Sequence, residues 1–338
     1  MTRRPKVAVT MGDPAGVGPE VVVKALAAPE VRRFCRPIVL GDGDLLERVR
    51  RRQQRIGYRL VQWRPGDRLP ATEVEIPVYS LSRLEGEALP GRPSVSCGRA
   101  AYCYIKSATE LILSGAADAL ATAPISKRVL HLAGHRYPGH TELLAELTHT
   151  KECRMMLVGD GLRITLVTVH VPYRAVPRKL SRSAIRVTLD LTERALRRYF
   201  GVRRPRIAVA ALNPHAGEEG IFGAEERTMI APAVRAARRR GIGAEGPYPA
   251  DSLFFRAARG DFDAVVSMYH DQGLIPLKLA NFFGGVTFTL GLPFVRTSVD
   301  HGTAYDIAGK NIADPSSMRA AILLAARLAR QASSKEEK

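Results

Sequence analysis

At 338 residues, 46% of them hydrophobic, the chain can fill one large or two medium domains with proper cores, which excludes disorder over most of its length. No apolar run approaches the ~18 residues of a membrane span, and Lys6 to Thr10 starts a strand where a secretory leader would carry its apolar segment, so a cytoplasmic protein without a membrane partner is expected. The net charge of +18 invites a nucleic-acid reading, but Arg48 to Arg55 and Arg235 to Arg240 fall on polar faces of expected helices, and a single Trp offers no stacking platform.

In chain order, strand Lys6 to Thr10 feeds a glycine-rich turn, Met11-Gly-Asp-Pro-Ala-Gly-Val-Gly-Pro-Glu20, and an apolar helix from about Pro19 to Leu26. Small residues let an anion approach the free N–H groups of the helix end, although the same turn also serves as a tight structural connection. It matches neither Gly-x-Gly-x-x-Gly nor a Walker loop. Pro37 to Gly41 and Tyr58 to Gln62 read as strands flanking a charged helix, Asp44 to Gln54, a β-α-β unit that implies a parallel sheet. Residues 64–93, rich in Pro, Gly and charge, read as an excursion with an edge strand at Val74 to Tyr79. A helix from Ser96 to Gly115 leads into strand Asp118 to Thr122 and the polar tip Thr122-Ala-Pro-Ile-Ser-Lys127, whose lysine either holds a phosphate or is a solvated first-turn residue. His140 and Thr141, at the start of helix Thr141 to Leu147, can donate to an anion; alternatively Thr141 is an ordinary cap. Cys35, Cys97, Cys103 and Cys153 form no Cys-x-x-Cys pair, which fits buried thiols in a reducing compartment.

The second half repeats one pattern three times. Arg163 to Val169 runs into His170, Arg206 to Leu212 runs into Asn213-Pro-His215, and Asp263 to Met268 runs into Tyr269-His270-Asp271. In a parallel sheet all carboxyl ends of the strands lie along one edge, so residues distant in sequence converge there. Three neutral imidazoles suit a divalent cation such as Zn²⁺ or Co²⁺ and leave positions open for substrate. A lone histidine at a strand end is more often a hydrogen-bonded structural residue, and that reading stands beside the metal one. Helices are expected at Ser181 to Phe200 and Ala224 to Arg240, with a flexible acidic loop from Ala216 to Gly223. Asp251 opens a further helix as its cap or as a catalytic carboxylate. Lys278, Thr287 and Arg296, placed on loops and strand ends, are candidate phosphate donors. The tail Gln331 to Lys338 is polar and expected to be disordered.

The most specific stretch is Val299-Asp-His-Gly-Thr-Ala-Tyr-Asp-Ile-Ala-Gly-Lys-Asn311. It resembles the adenosine-binding loop of isocitrate and isopropylmalate dehydrogenases. That resemblance implies that His301, Gly302 and Asp306 contact a dinucleotide, and an acidic Asp306 that accepts from both ribose hydroxyls favours NAD over NADP. The motifs at residues 11–20, 122–127, 139–142, 212–218, 269–274 and 290–304 together resemble the 4-hydroxythreonine-4-phosphate dehydrogenase family of pyridoxal 5′-phosphate biosynthesis, in order along nearly the whole chain.

This resemblance implies an α/β protein of two α/β domains flanking a cleft, with boundaries near 125 and 300: residues 1–125 plus 300–338 with the cofactor loop, and 126–299 with the metal and substrate residues. It implies a homodimer whose active site lies at the subunit interface, with His170, His215 and His270 as ligands of Zn, Co or Mg. His140, Thr141, Lys278, Thr287 and Arg296 would bind substrate, and Asp251 and Asp271 would orient the histidines or relay a proton. The implied reaction is NAD-dependent oxidation of 4-phosphohydroxy-L-threonine followed by decarboxylation. Members of the family usually carry Asn where this chain has Thr287, which keeps D-threonate and D-erythronate 4-phosphates open as substrates. From a different class, a metal-dependent phosphatase or lyase would need the histidines and no cofactor loop.

Overall fold

Strand β1 (Lys6–Thr10), rich in β-branched residues and buried from its second position onward, takes the interior of a parallel sheet. It is the first element of a computed structural model that describes residues 3–53, 56–280 and 284–336. Two helices follow, α1 (Gly18–Ala27) and α2 (Pro29–Phe34), each with a proline in its first turn, where a missing N–H leaves no bond unmade. Next come β2 (Arg36–Asp42), α3 (Gly43–Arg51), β3 (Arg59–Gln62), β4 (Glu75–Ser82), α4 (Val95–Leu113) and β5 (Ala119–Thr122). After α5 (Lys127–Leu132) and α6 (His140–Leu147) the chain forms β6 (Arg154–Gly159), β7 (Leu162–Leu166), α7 (Val176–Lys179), α8 (Arg182–Arg198) and β8 (Ile207–Ala210). The remainder is α9 (Ala231–Arg239), β9 (Ala244–Tyr248), α10 (Ala250–Ala258), β10 (Ala264–Ser267), α11 (His270–Ala280), β11 (Val286–Leu290), β12 (Val295–Val299) and α12 (Ser316–Glu336).

Two compact units result. Unit 1 is Met1–Lys151 with Leu292–Arg330, and unit 2 is Glu152–Gly291 with Gln331–Lys338. The crossings therefore fall after Lys151 and Gly291, not near 125 and 300, and this puts His140, Thr141 and Arg296 in unit 1. In unit 1 the strands run β3-β4-β2-β1-β5-β12, every neighbouring pair parallel. In unit 2 the order is β11-β6-β7-β10-β8-β9; β6 is antiparallel to both neighbours, and the others are parallel. Period-2 alternation splits the unit 2 core between two faces. Val266 and Val209 pack with Ile185, Leu189 and Val234 of α8 and α9, whereas Val265 and Ala208 pack with Leu253 and Leu277 of α10 and α11.

Several expectations are corrected. The strand expected at an edge, β4, lies between β3 and β2, and β3 takes the outside position. Strands β6 and β9 were not foreseen; β6 pairs with β7 through Asp160 and Gly161, both at positive φ (40° and 82°), the two-residue Asp-Gly turn that suits a twisted hairpin. The tail is helical through Glu336, with Gln331 lying against the backbone of Gly201. Most arginines read as solvated are so: Arg48, Arg51, Arg52, Arg235, Arg238, Arg239 and Arg240 are exposed, whereas Arg50 is half-buried against Glu47, and Gln54 and Arg55 lie outside the described residues. Among the described residues no cysteine forms a disulfide, and Cys35 and Cys97 are buried. Among the described residues no helix is long and apolar enough to cross a membrane.

Candidate active site

In unit 1 the carboxyl ends of three adjacent parallel strands, β1, β5 and β12, carry three loops that lock onto one another. The amide of Asp13 donates to the Pro124 carbonyl at 2.9 Å, and the amide of Val17 donates to the Thr303 carbonyl at 2.9 Å. Gly16 makes that second approach possible, since a Cβ there would sit 2.8 Å from the Thr303 oxygen. Asp13 is buried; its Oδ1 accepts from the Ala15 amide (2.9 Å) and its Oδ2 from the Tyr305 hydroxyl (2.5 Å). Burial pushes the Asp13 carboxyl above its ordinary range, and the bonds from Tyr305 and Ala15 oppose that shift. The far end of the third loop is tied by Lys24, whose Nζ reaches Glu20 Oε1 (2.7 Å) and the carbonyls of Asn311 and Ala313 (3.0 Å each).

This scaffold presents the expected cofactor residues outward. His301, Gly302 and Asp306 are exposed, and nothing lies within 4 Å of where a Gly302 side chain would begin, so a sugar or a ring has room to approach. Beside it a pocket of about 360 Å³, within the usual range for small ligands, is lined in part by Gly16, Glu20, Arg48, Arg52, Gly309 and Asn311. The chain therefore fits a dinucleotide at this loop.

Two of the expected substrate residues meet in the same unit. Arg296 is buried in β12, not on a loop, and its Nη2 donates to Thr122 Oγ1 at the tip of β5 (2.7 Å). His140, first residue of α6, lies in its field. Burial foremost, and the Arg296 charge after it, hold the imidazole well below its ordinary pKa, so the ring is neutral. His140 as a residue is half-exposed, but its Nε2 is closed to solvent and has no hydrogen-bond partner among the described residues. A sealed imidazole nitrogen beside a guanidinium is suited to an incoming anion. Thr141 is not the cap of α6; Gly139 takes that position, without a side-chain cap bond, which leaves the Thr141 hydroxyl available. Lys127 is exposed in the first turn of α5, its chain lying beside Gly139.

In unit 2 the three histidines sit at or just beyond the tips of β7, β8 and β10, which are adjacent in the order β7-β10-β8. The rings of His170 and His270 are 5.7 Å apart. His270 Nδ1 donates to Asp271 Oδ1 at 2.7 Å, which fixes the tautomer and leaves Nε2 as a free lone pair for a metal. His215 faces Phe222 at 6.1 Å instead, and among the described residues no three His, Cys, Asp or Glu side chains gather closely enough to hold a metal ion. By its donor chemistry the His170–His270 pair fits a divalent cation, and His215 is the ligand this chain does not bring alongside. Asp251 lies in the exposed first turn of α10, whose cap is Pro249, so the capping role is not the one it plays. Lys278 lies on α11 and Thr287 within β11, opposite Leu157 and buried, so neither is on a loop.

The loop that carries His215 is ordered rather than free. Residues 215–219 all have positive φ, four of them non-glycine, a conformation that costs each L-residue about 1–2 kcal/mol. Glu226, buried in a π-helical turn, holds it: its Oε1 accepts from the amides of Leu212 and Asn213 (2.8 Å each) and its Oε2 from Asn213 Nδ2 (2.9 Å). The sequence reading missed Glu226, Asp13 and Tyr305 as site residues. A bulky tyrosine within a loop of small residues was the available signal for the last; a glutamate in an acidic segment gave none.

Comparison with known proteins identifies the family. The family model described as pyridoxal phosphate biosynthetic protein PdxA matches residues 33–325. A 4-hydroxythreonine-4-phosphate dehydrogenase of Geobacter metallireducens is 52% identical, covering 97% of this chain and 96% of that protein. A D-threonate 4-phosphate dehydrogenase of Cupriavidus necator is 47% identical, covering 96% and 97%. The solved structure of 4-hydroxythreonine-4-phosphate dehydrogenase from Klebsiella pneumoniae superposes with a TM-score of 0.88 at 43% identity, covering 96% of this chain and 99% of that one. With the family model spanning most of its length, the chain belongs to the pyridoxal phosphate biosynthetic protein PdxA family.

Proposed function

We propose that the protein oxidises the C3 hydroxyl of 4-phosphohydroxy-L-threonine with NAD, giving 2-amino-3-oxo-4-phosphooxybutanoate, which loses CO₂ to 3-amino-2-oxopropyl phosphate. It is an oxidoreductase by family. The observation that carries the choice of a phosphorylated substrate is the sealed His140 Nε2 beside buried Arg296. A neutral imidazole and a forked guanidinium can share phosphate oxygens, and Thr141 adds a hydroxyl; Lys278 and Thr287 are the further substrate residues that the family resemblance implies.

Asp306 would accept hydrogen bonds from an adenosine ribose, and its charge would disfavour a 2′-phosphate, so NAD would be preferred to NADP. A bound nicotinamide would supply the hydride acceptor for oxidation at C3. The family resemblance assigns a divalent cation, Zn, Co or Mg, to His170, His215 and His270, of which His170 and His270 lie together and His215 apart; bound there it would supply Lewis-acid polarisation of the substrate hydroxyl. Asp271 keeps the His270 ring in its ligating tautomer, and Asp251 is the exposed carboxylate available to relay the hydroxyl proton. The working form is a cytoplasmic homodimer with the active site completed at the subunit interface.

The C. necator relative favours a second reading, D-threonate 4-phosphate as substrate, because its identity to this chain falls only 5 percentage points below that of the G. metallireducens protein (52 against 47). Thr287 is the residue on which that choice turns: a threonine is shorter than an asparagine and lacks the amide's paired donor and acceptor. A panel of 4-phosphohydroxy-L-threonine and D-threonate and D-erythronate 4-phosphates, ranked by kcat/KM with NAD and NADP, tests both. The first substrate should lead with NAD; a lead for either sugar-acid phosphate would establish the second reading. Phosphate release without NADH formation, or turnover unaffected by EDTA, would reject the metal-dependent dehydrogenase.

A further inference from the structure

We propose that Tyr305 is a positioning residue for the dinucleotide: anchored on Asp13, its phenol fixes the loop that presents Asp306. The inference rests on the cofactor-loop reading above and adds to it a residue with no ligand contact of its own.

Residues 300–311 form neither strand nor helix, and His301, Gly302, Asp306, Gly309, Lys310 and Asn311 are exposed, so the shape of this loop must come from a few ties to the body of unit 1. One is the Val17 amide on the Thr303 carbonyl, and another is Lys24 at Asn311 and Ala313. Between these, next to Asp306, the tie is Tyr305 Oη donating to Asp13 Oδ2 at 2.5 Å. Ser126 and Thr303 also contact the phenol, so it meets the loops from β5 and β12 as well as the carboxylate from the β1 loop.

The anchor is rigid. Asp13 is buried, donates its own amide to Pro124 and receives the Ala15 amide on its other oxygen. A buried carboxylate is costly unless hydrogen-bonded, and its bond to a hydroxyl is of the strong, charge-assisted kind. Next to Tyr305, Ala304 sits at φ 41°, a conformation that persists only where neighbours over-determine it. Without the phenolic hydroxyl, Asp13 loses one of its donors and Ala304 is free to relax, so the loop samples other shapes before NAD arrives. Binding then bears the cost of ordering the loop, which weakens affinity and leaves the hydride step as it was.

The test uses the full-length protein with NADH titrated by fluorescence, together with kcat and KM for NAD. Tyr305→Phe should raise the NADH Kd by about ten-fold with kcat within about two-fold. Asp13→Asn should do the same, and the double variant should be no weaker than either single, because both remove one interaction. Asp306→Ala is the reference. If it weakens NADH binding and Tyr305→Phe does not, the positioning role is wrong; if it leaves NADH binding unchanged, the cofactor-loop reading itself fails. Hydrogen exchange on the unsubstituted protein needs no variant to fold: the amides of Ile307 and Val17, which donate to the Ala304 and Thr303 carbonyls, should be protected without NADH, and exchange of both at open-loop rates would overturn the proposal.

Discussion

Asp13 and Glu226 are both buried carboxylates that hold a loop at the tips of parallel strands, and they do so under opposite conditions. Around Asp13 the loops are interlocked by several independent bonds, and the left-handed non-glycine residues Ala304 and Asn311 occur singly. Around Glu226 five consecutive residues, His215 to Glu219, are left-handed, and one side chain takes three N–H groups at the start of the run. The first arrangement spreads the load, so removing one tie should alter ligand affinity more than stability. The second concentrates it. Beside Glu226 the run has the Glu225 carboxylate on Asn213 Nδ2 (2.9 Å) and two backbone bonds of its own, so loss of Glu226 should release much of the strain.

Glu226→Gln is the strongest test of this contrast. An amide cannot accept from all three donors, and hydrogen bonds to a charged group are worth about 1.5–3 kcal/mol each, so urea unfolding should show a loss of roughly that size. Misplacing His215 should also weaken Co²⁺ binding about ten- to a hundred-fold, read from visible absorbance, as is usual when a group supporting a metal ligand is removed. Unchanged values of both would mean that the left-handed run is held by something else, and the comparison would break.

Two glycine substitutions sharpen the contrast at a smaller scale. Gly217 lies at φ 80°, and a Cβ there would come 2.7 Å from Glu226 Oε2, so Gly217→Ala should cost about 2 kcal/mol of stability. Gly16 carries no such backbone strain; its added Cβ would press on Thr303 and displace the cofactor loop. Gly16→Ala should therefore raise KM for NAD several-fold with a smaller loss in urea midpoint. The reverse pattern, stability lost at Gly16 and affinity at Gly217, would count against the distinction.

What could be read without coordinates follows the same division. Strand β1 and helices α1, α4 and α8 were legible because periodicity and caps are local signals, as with Ser181, whose Oγ receives the Ala184 amide. The histidine at each of three strand tips was legible for the same reason. The Tyr305–Asp13 bond joins residues 292 positions apart, and nothing in either neighbourhood announces the other. Positive φ at Ala216, Glu218 and Glu219 has no local signal, since none of these residues prefers it, while the Glu226 bonds to Leu212 and Asn213 come from outside the segment. Arg296 in the buried strand β12 has no local signal, since a charged side chain seldom sits there; its Nη2 donates to the Thr122 hydroxyl.

Within unit 1 the phosphate residues give the next effect in size. Arg296→Lys keeps the charge but loses the planar fork and the bond to Thr122, so KM for the phosphorylated substrate should rise about ten-fold while kcat falls less. An equal fall in kcat and kcat/KM would instead place Arg296 at the reacting atoms.

The smallest effect concerns protons. His140 has its pKa lowered on folding by burial and by Arg296, so as the pH drops below the ordinary value of 6.5 the unfolded chain takes up a proton that the folded one refuses. Its contribution to stability is therefore present above pH 6.5 and is lost as the pH falls toward the depressed value. Urea midpoints of the unsubstituted protein should drop between pH 8 and roughly 5.5, and His140→Gln, which cannot take up that proton, should drop less over the same interval. Asp13 has the opposite sign: with its folded pKa raised by burial, its contribution to stability is present below the ordinary 3.8 and is lost as the pH rises through the raised value. Parallel midpoints for the two proteins would mean that the ring is not held neutral, and an anion would then meet an imidazolium there from the start.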